Sequence, residues 1–188
     1  MDLSSILTIA FISSACFINT SLAAKDVPDN KQTNSALYLS ATEAHEWWEA
    51  DPDFVKIVDI RSPEEYVFVG HPKMALNIPF KLMQRKWDTE KKKQQMVVNS
   101  AFISQIKAKY SLDETLVLMC RSGVRSAEAT DLLNENGYTR VYTIVDGFEG
   151  DKFKKSGHAD NGKRVINGWK NSNLPWTYSL NKELFYTD

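Results

Sequence analysis

Apolar and polar positions change their rhythm along the chain. Three short apolar runs are bounded by turn-forming residues: "FVKIVDI" (Phe54 to Ile60), "TLVLM" (Thr115 to Met119) and "RVYTIV" (Arg140 to Val145). Runs of this kind read as strands, and the unbroken apolar "TLVLM" suits a central strand of a parallel sheet. "LYLS" (Leu37 to Ser40) and "ALNIP", stopped by Pro79, read as shorter strands. Between them the apolar period becomes helical. Ala44, Trp47 and Trp48 share one face of "ATEAHEWWEA", and Phe102, Ile103, Ile106 and Tyr110 form another stripe. In "SPEEYVF", Ser62 is an N-cap with Pro63 at the first helical position. A further helix is predicted from about Ser126 to "NENGY", with Gly137 as its left-handed cap. "DTEKKKQQ" (Asp88 to Gln95) reads as a solvated helix face or loop, and residues 25–36, "KDVPDNKQTNSA", as a loose polar linker. Strands alternating with helices predict an α/β fold with a mainly parallel sheet. In such sheets function collects beyond the carboxyl ends of the strands, and Cys120 stands at one such end.

Composition narrows the function classes. The chain has 188 residues, 43% hydrophobic and 25% charged, enough for one domain with a real core. Its net charge of -1 provides no field for nucleic acid, and the aromatic residues lack the basic surroundings such binding needs. Residues 1–24 differ from the rest: an apolar run ends in small residues, Ser21-Leu22-Ala23-Ala24, and reads as a secretory signal peptide, although Asp2 replaces the usual basic start. The mature protein is then periplasmic or secreted, with no membrane span. Cleavage removes Cys16 and leaves Cys120 as the sole thiol, so no internal disulfide can form. His45, His71 and His158 are scattered and lack metal-ligand spacing.

A lone cysteine in an oxidising compartment is either inert or has a task. Its loop, Cys120-Arg121-Ser122-Gly123-Val124-Arg125, lies between a strand and a helix. Gly123 permits a sharp turn. Successive backbone N–H groups there can converge on one point, and the helix that follows presents its positive end to it. A cysteine in that position is a candidate nucleophile, and an anion carried on its sulfur would be cradled. Phosphatases and arsenate reductases that use this device space Cys and Arg one residue further apart, making room for a tetrahedral oxyanion. The shorter ring from Cys120 to Arg125 suits a single added sulfur atom.

Together with this loop, three further segments resemble the rhodanese family of sulfurtransferases. "VDIRSPEEY" (Val58 to Tyr66) is similar to the family's Asp-x-Arg-x-x-x-Glu-aromatic segment. "GHPKMALNIP" (Gly70 to Pro79) is similar to its Gly-His segment ending in Ile-Pro, with Lys73 and Met74 replacing smaller residues. "DGFEG" with "NGWKNSNLPW" resembles its closing signature, with Asn173 where glycine is usual. The resemblance covers residues 36–178 and implies the rhodanese-like fold, a five-stranded sheet flanked by helices on both faces. The domain is taken as 37–178, followed by a tail at 179–188. The resemblance also implies roles. Cys120 would accept a sulfane sulfur from a small anionic donor such as thiosulfate, hold it as a persulfide, and pass it to a thiol, cyanide or protein acceptor. No cofactor or metal is needed. Backbone amides from Arg121 to Arg125 would stabilise the persulfide, and Arg121 would point outward toward the donor. Arg125 would brace the loop by pairing with Glu65. Some two-domain relatives carry a lysine where Ser122 stands, which leaves the donor open. Asp59 and Arg61 are expected to pair structurally, and His71 to order its turn.

Residues 151–166, "DKFKKSGHADNGKRVI", have no counterpart in the compact family pattern. They follow the last strand and so should emerge on the Cys120 edge. Lys152, Lys154, Lys155, Lys163 and Arg164 make them basic, either a solvated loop or a lid that gathers anions. Two alternatives to a turning-over sulfurtransferase are a low-turnover persulfide carrier or binding module and, against the loop length, a phosphatase or arsenate reductase.

Overall fold

The computed structural model describes residues 26–187; the expected signal peptide and Cys16 lie outside the described residues. The chain runs β1 (Tyr38–Leu39), α1 (Ala41–Ala50), β2 (Val55–Asp59), α2 (Pro63–Val69), β3 (His71–Pro72), β4 (Leu76–Asn77), β5 (Lys81–Asp88), β6 (Lys93–Val98), α3 (Phe102–Lys109), β7 (Thr115–Met119), α4 (Val124–Glu135), β8 (Val141–Ile144) and β9 (Trp176–Thr177). Five strands form one sheet in the order β1-β8-β7-β2-β4, and every pairing in it is parallel.

The two faces of the sheet follow from strand alternation. Val58, Ile60, Leu116, Leu118, Cys120 and Val141 face one layer, covered by Phe102 and Ile106 of α3 and Ala129 and Leu133 of α4. Val55, Ile57, Val117, Met119 and Ile144 face the other, covered by Ala41 and Ala44 of α1 with Trp47 and Trp48 against them. All five residues of β7 are buried, as its unbroken apolar run requires. Capping boxes start two of the helices: Ser40 with Glu43 on α1, and Ser62 with Glu65 on α2, where Pro63 occupies the first turn. Asn173, in place of the usual glycine, has φ +57, a left-handed conformation that asparagine tolerates better than most residues.

Three expectations need correction. The charge run Asp88 to Gln95 is neither helix nor plain loop. It forms the tip of a β5–β6 hairpin pairing Met83 with Met96 and Leu82 with Val97. The hairpin turns without glycine: the Asp88 carboxylate accepts the Lys91 amide at 2.9 Å, and Lys92 takes φ +48. Residues 25–36 are not a loose linker over their described part. Lys31 is 5% exposed, its Nζ donating to the Val145 carbonyl at 2.8 Å and pairing with Asp151 at 2.7 Å. The helix after the cysteine loop begins at Val124 rather than near Ser126, with Gly123 as its N-cap. The tail does pack back, the Leu184 carbonyl accepting the Asn77 amide at 2.8 Å.

Candidate active site

Cys120 follows β7 directly and is a free, buried thiol, 1% exposed. The chain then turns at Gly123, whose φ is +93, and enters α4. A side chain at that position would meet the Val145 carbonyl at 2.2 Å, so the turn admits only glycine without local rearrangement. Gly147 packs beneath the loop in the same way: a Cβ there would lie 2.5 Å from the Cys120 carbonyl. The loop is tied to the next turn by Phe148 N–H donating to the Cys120 carbonyl and Glu149 N–H to that of Arg121.

One loop amide reaches the sulfur. Gly123 N–H donates to Sγ at 3.2 Å. Ser126 Oγ lies 3.6 Å from Sγ, donates to the Gly123 carbonyl at 2.9 Å, and meets Thr143 Oγ1 at 2.6 Å. Ser126 and Thr143 were not singled out from the sequence. The available signals were Ser126's place in the first turn of α4 and Thr143's inward position on the neighbouring strand.

Cys120 lines a cavity of about 700 Å³. Arg121, Ser122, Val124 and Arg125 of the loop also line it, together with Glu65 and, on the far side, Lys93, Gln94 and Met96 of the hairpin. Arg121 is exposed. Arg125 makes the expected brace: its guanidinium donates to both Glu65 oxygens, at 2.6 and 2.7 Å. The same carboxylate accepts the Ser62 amide at 3.1 Å, so one side chain joins the head of α2 to the cysteine loop. Burial pushes the Glu65 carboxyl up, but the Arg125 hydrogen bond and charge, with the Ser62 amide and Arg61 charge, outweigh it and hold it below its ordinary value of 4.5. A carboxyl depressed in the folded state stabilises the fold above its unfolded pKa, and that contribution is lost as pH falls through its folded pKa. Glu65→Gln is therefore expected to cost about 2 kcal/mol at neutral pH and to flatten the decline in stability below about pH 4.5. Urea titrations across acid pH check this; an acid limb as steep as in the unaltered protein would remove Glu65 from that role.

Asp59 and Arg61 lie outside the cavity and are both 0% exposed. Arg61 Nε and Nη2 donate to the Asp59 carboxylate at 2.9 and 2.5 Å, Nη2 also reaches the Gly70 carbonyl at 2.8 Å, and the guanidinium stacks 4.1 Å over the Phe148 ring. His71 is likewise structural, with its ring stacked on Tyr66 at 3.7 Å and Nδ1 against the Tyr66 carbonyl. Among the described residues no cluster of His, Cys, Asp and Glu could hold a metal, and no helix is long and apolar enough to cross a membrane.

The Rhodanese-like domain family profile matches residues 40–154. An uncharacterised Rickettsia rickettsii protein, the RP600 homolog, is 33% identical over 122 residues, covering 65% of this chain and 82% of its own. Thiosulfate sulfurtransferase 16 of Arabidopsis thaliana chloroplasts is 32% identical over 110 residues, covering 58% of this chain and 82% of its own. The crystal structure of Rv0390 from M. tuberculosis superposes with a TM-score of 0.59 at 25% identity, over 76% of this chain and 97% of that one. A parallel sheet ending in a cysteine loop, braced from α2 and matched by the profile over most of its length, makes this chain a member of the rhodanese-like domain family.

Proposed function

We propose that the protein is a sulfurtransferase that carries a sulfane sulfur as a persulfide on Cys120. The observation that carries this reading is the Gly123 N–H aimed at Sγ at 3.2 Å, on a cysteine that lines a cavity together with Arg121. A donor N–H in a site screened from water stabilises negative charge on the sulfur more than bulk solvent would. The relative named a thiosulfate sulfurtransferase supports the same chemistry.

With thiosulfate as donor, the Cys120 thiolate attacks the outer sulfur. A new S–S bond forms, the bond inside thiosulfate breaks, and sulfite leaves with its electron pair. The enzyme then holds Cys120–S–S⁻. A thiol, cyanide or a protein nucleophile attacks the terminal sulfur, and the Cys120 thiolate departs with the electron pair, ready for another cycle. No cofactor enters either step. The depth of Cys120, 1% exposed, slows the approach of a reaction partner and favours as a second reading a low-turnover persulfide carrier. We place the activity in the periplasm or outside the cell, on the strength of the leader-like residues 1–24.

Incubation with thiosulfate followed by intact-mass measurement tests this. The expected result is a gain of one sulfur atom per chain, removed by cyanide with release of thiocyanate. Loading without catalytic release would favour the carrier; no sulfur gain from thiosulfate or a polysulfide would overturn both readings.

A further inference from the structure

Resting on the sulfurtransferase reading, we infer that Arg164 binds the anionic head of the sulfur donor opposite Arg121, making the segment 151–166 a specificity element of the site. Five basic side chains were candidates in that segment, and the fold separates them. Among the described residues of the segment only Arg164 lines the cavity that holds Cys120 and Arg121. Lys152, Lys154, Lys155 and Lys163 are exposed, and Lys163 is paired with Asp160 at 3.0 Å.

Arg164 is held in place rather than left to wander. Its backbone bridges Lys152, and one guanidinium nitrogen donates to the Gly150 carbonyl. The start of the segment is anchored by Asp151, which pairs with Lys31 and is bonded to Asn167 at its amide and its carboxylate. A cation fixed before the ligand arrives loses little entropy on binding it.

The charges of the cavity point the same way. Glu65 is engaged by Arg125, Lys81 by Glu128 at 2.5 Å, and Lys91 stands 4.0 Å from Asp88. Among the described residues, the lining cations with no ion-pair partner are Arg121, Arg164 and Lys93. Burial, and then the nearby Arg121 charge, hold the Arg164 guanidinium below its ordinary value against the opposing pull of Glu149, Asp151 and Cys120. Two arginines lining the same cavity as the cysteine suit oxygens of a single anion, since each guanidinium presents a planar fork of donors. For thiosulfate those oxygens stay on the departing sulfite, so the pair would hold the leaving group while its S–S bond breaks. The implied substrate class is a donor whose leaving side bears charged oxygens.

The test compares Arg164→Gln, Arg164→Lys and, as a control on the same segment, Lys163→Ala. Arg164→Gln is expected to raise KM for thiosulfate about tenfold with kcat within about twofold, and to weaken equilibrium binding of sulfite by a similar factor. Arg164→Lys should recover part of the loss, and Lys163→Ala should match the unaltered protein. Unchanged KM and sulfite affinity in Arg164→Gln would overturn the inference, as would an equal loss in Lys163→Ala, the mark of a diffuse field. Because sulfite binding requires no sulfur transfer, an Arg164-dependent sulfite affinity in a protein that never loads sulfur would overturn the enzymatic reading and leave the anion site standing.

Discussion

Cys120→Ser is expected to reduce sulfur transfer by roughly a thousandfold or more while the protein stays folded. The hydroxyl is a far weaker nucleophile than a thiolate and does not form a persulfide. The substitution is also mild structurally. A serine Oγ can accept the Gly123 N–H that now meets Sγ and can bond to Ser126 Oγ, so the buried position keeps polar partners. Stability should change by about 1 kcal/mol or less. Thiocyanate formation from thiosulfate and cyanide, with intact mass alongside, measures the chemistry; urea unfolding measures the fold. Residual transfer above about a tenth of the original would mean that the sulfur travels by another route.

Arg61→Ala should be the most destabilising of the substitutions considered, by about 3–5 kcal/mol. It would leave the fully buried Asp59 carboxylate without its cation, strip a donor from the Gly70 carbonyl and remove the stack on Phe148. Asp59→Ala should cost a similar amount, because it strands the guanidinium instead. The double variant should cost clearly less than the two losses summed, since either single change already breaks the shared interaction. Neither residue lines the cavity, so the folded fraction should retain its specific activity at low temperature. Losses that simply add would show that the pair is not coupled. A fall in kcat without a fall in stability would show that the pair serves the chemistry directly.

Much of this was legible in the residues, and the reasons can be traced. β2 and β7 were readable because strands buried on both faces must be apolar almost throughout, α1 because Ala44, Trp47 and Trp48 recur at helical spacing, and α2 because Ser62 and Pro63 announce its start. The Glu65–Arg125 brace and the Asp59–Arg61 pair were expected from the family resemblance, and the fold brings both into contact. The β5–β6 hairpin was hidden for a physical reason. It stands outside the main sheet with much of its surface in solvent, Trp87 being 62% exposed, so its composition is not constrained to be apolar. Its turn also uses an Asp88 side-chain bond rather than Gly or Asn-Gly. Arg164 could be seen as one of five cations but not chosen among them, because the choice depends on the Lys152–Arg164 bridge that folds the segment back on itself. Residues 26–36 misled for the opposite reason: a polar stretch reads as solvated, yet the Lys31 side chain is buried against the Val145 carbonyl and the half-buried Asp151 carboxylate.

The recess around Cys120 also decides which molecules can react with one another. A disulfide requires two sulfurs about 2 Å apart with Cα atoms no more than about 7 Å apart. With Cys120 only 1% exposed, one copy of the folded protein cannot bring that sulfur against the same sulfur of another. Cys120, the one cysteine among the described residues, is thereby kept from cross-linking to its counterpart in a second copy. If Cys120 hands on a sulfur as proposed, the expected acceptor delivers its nucleophile on something slender, a small molecule or the tip of a protruding loop.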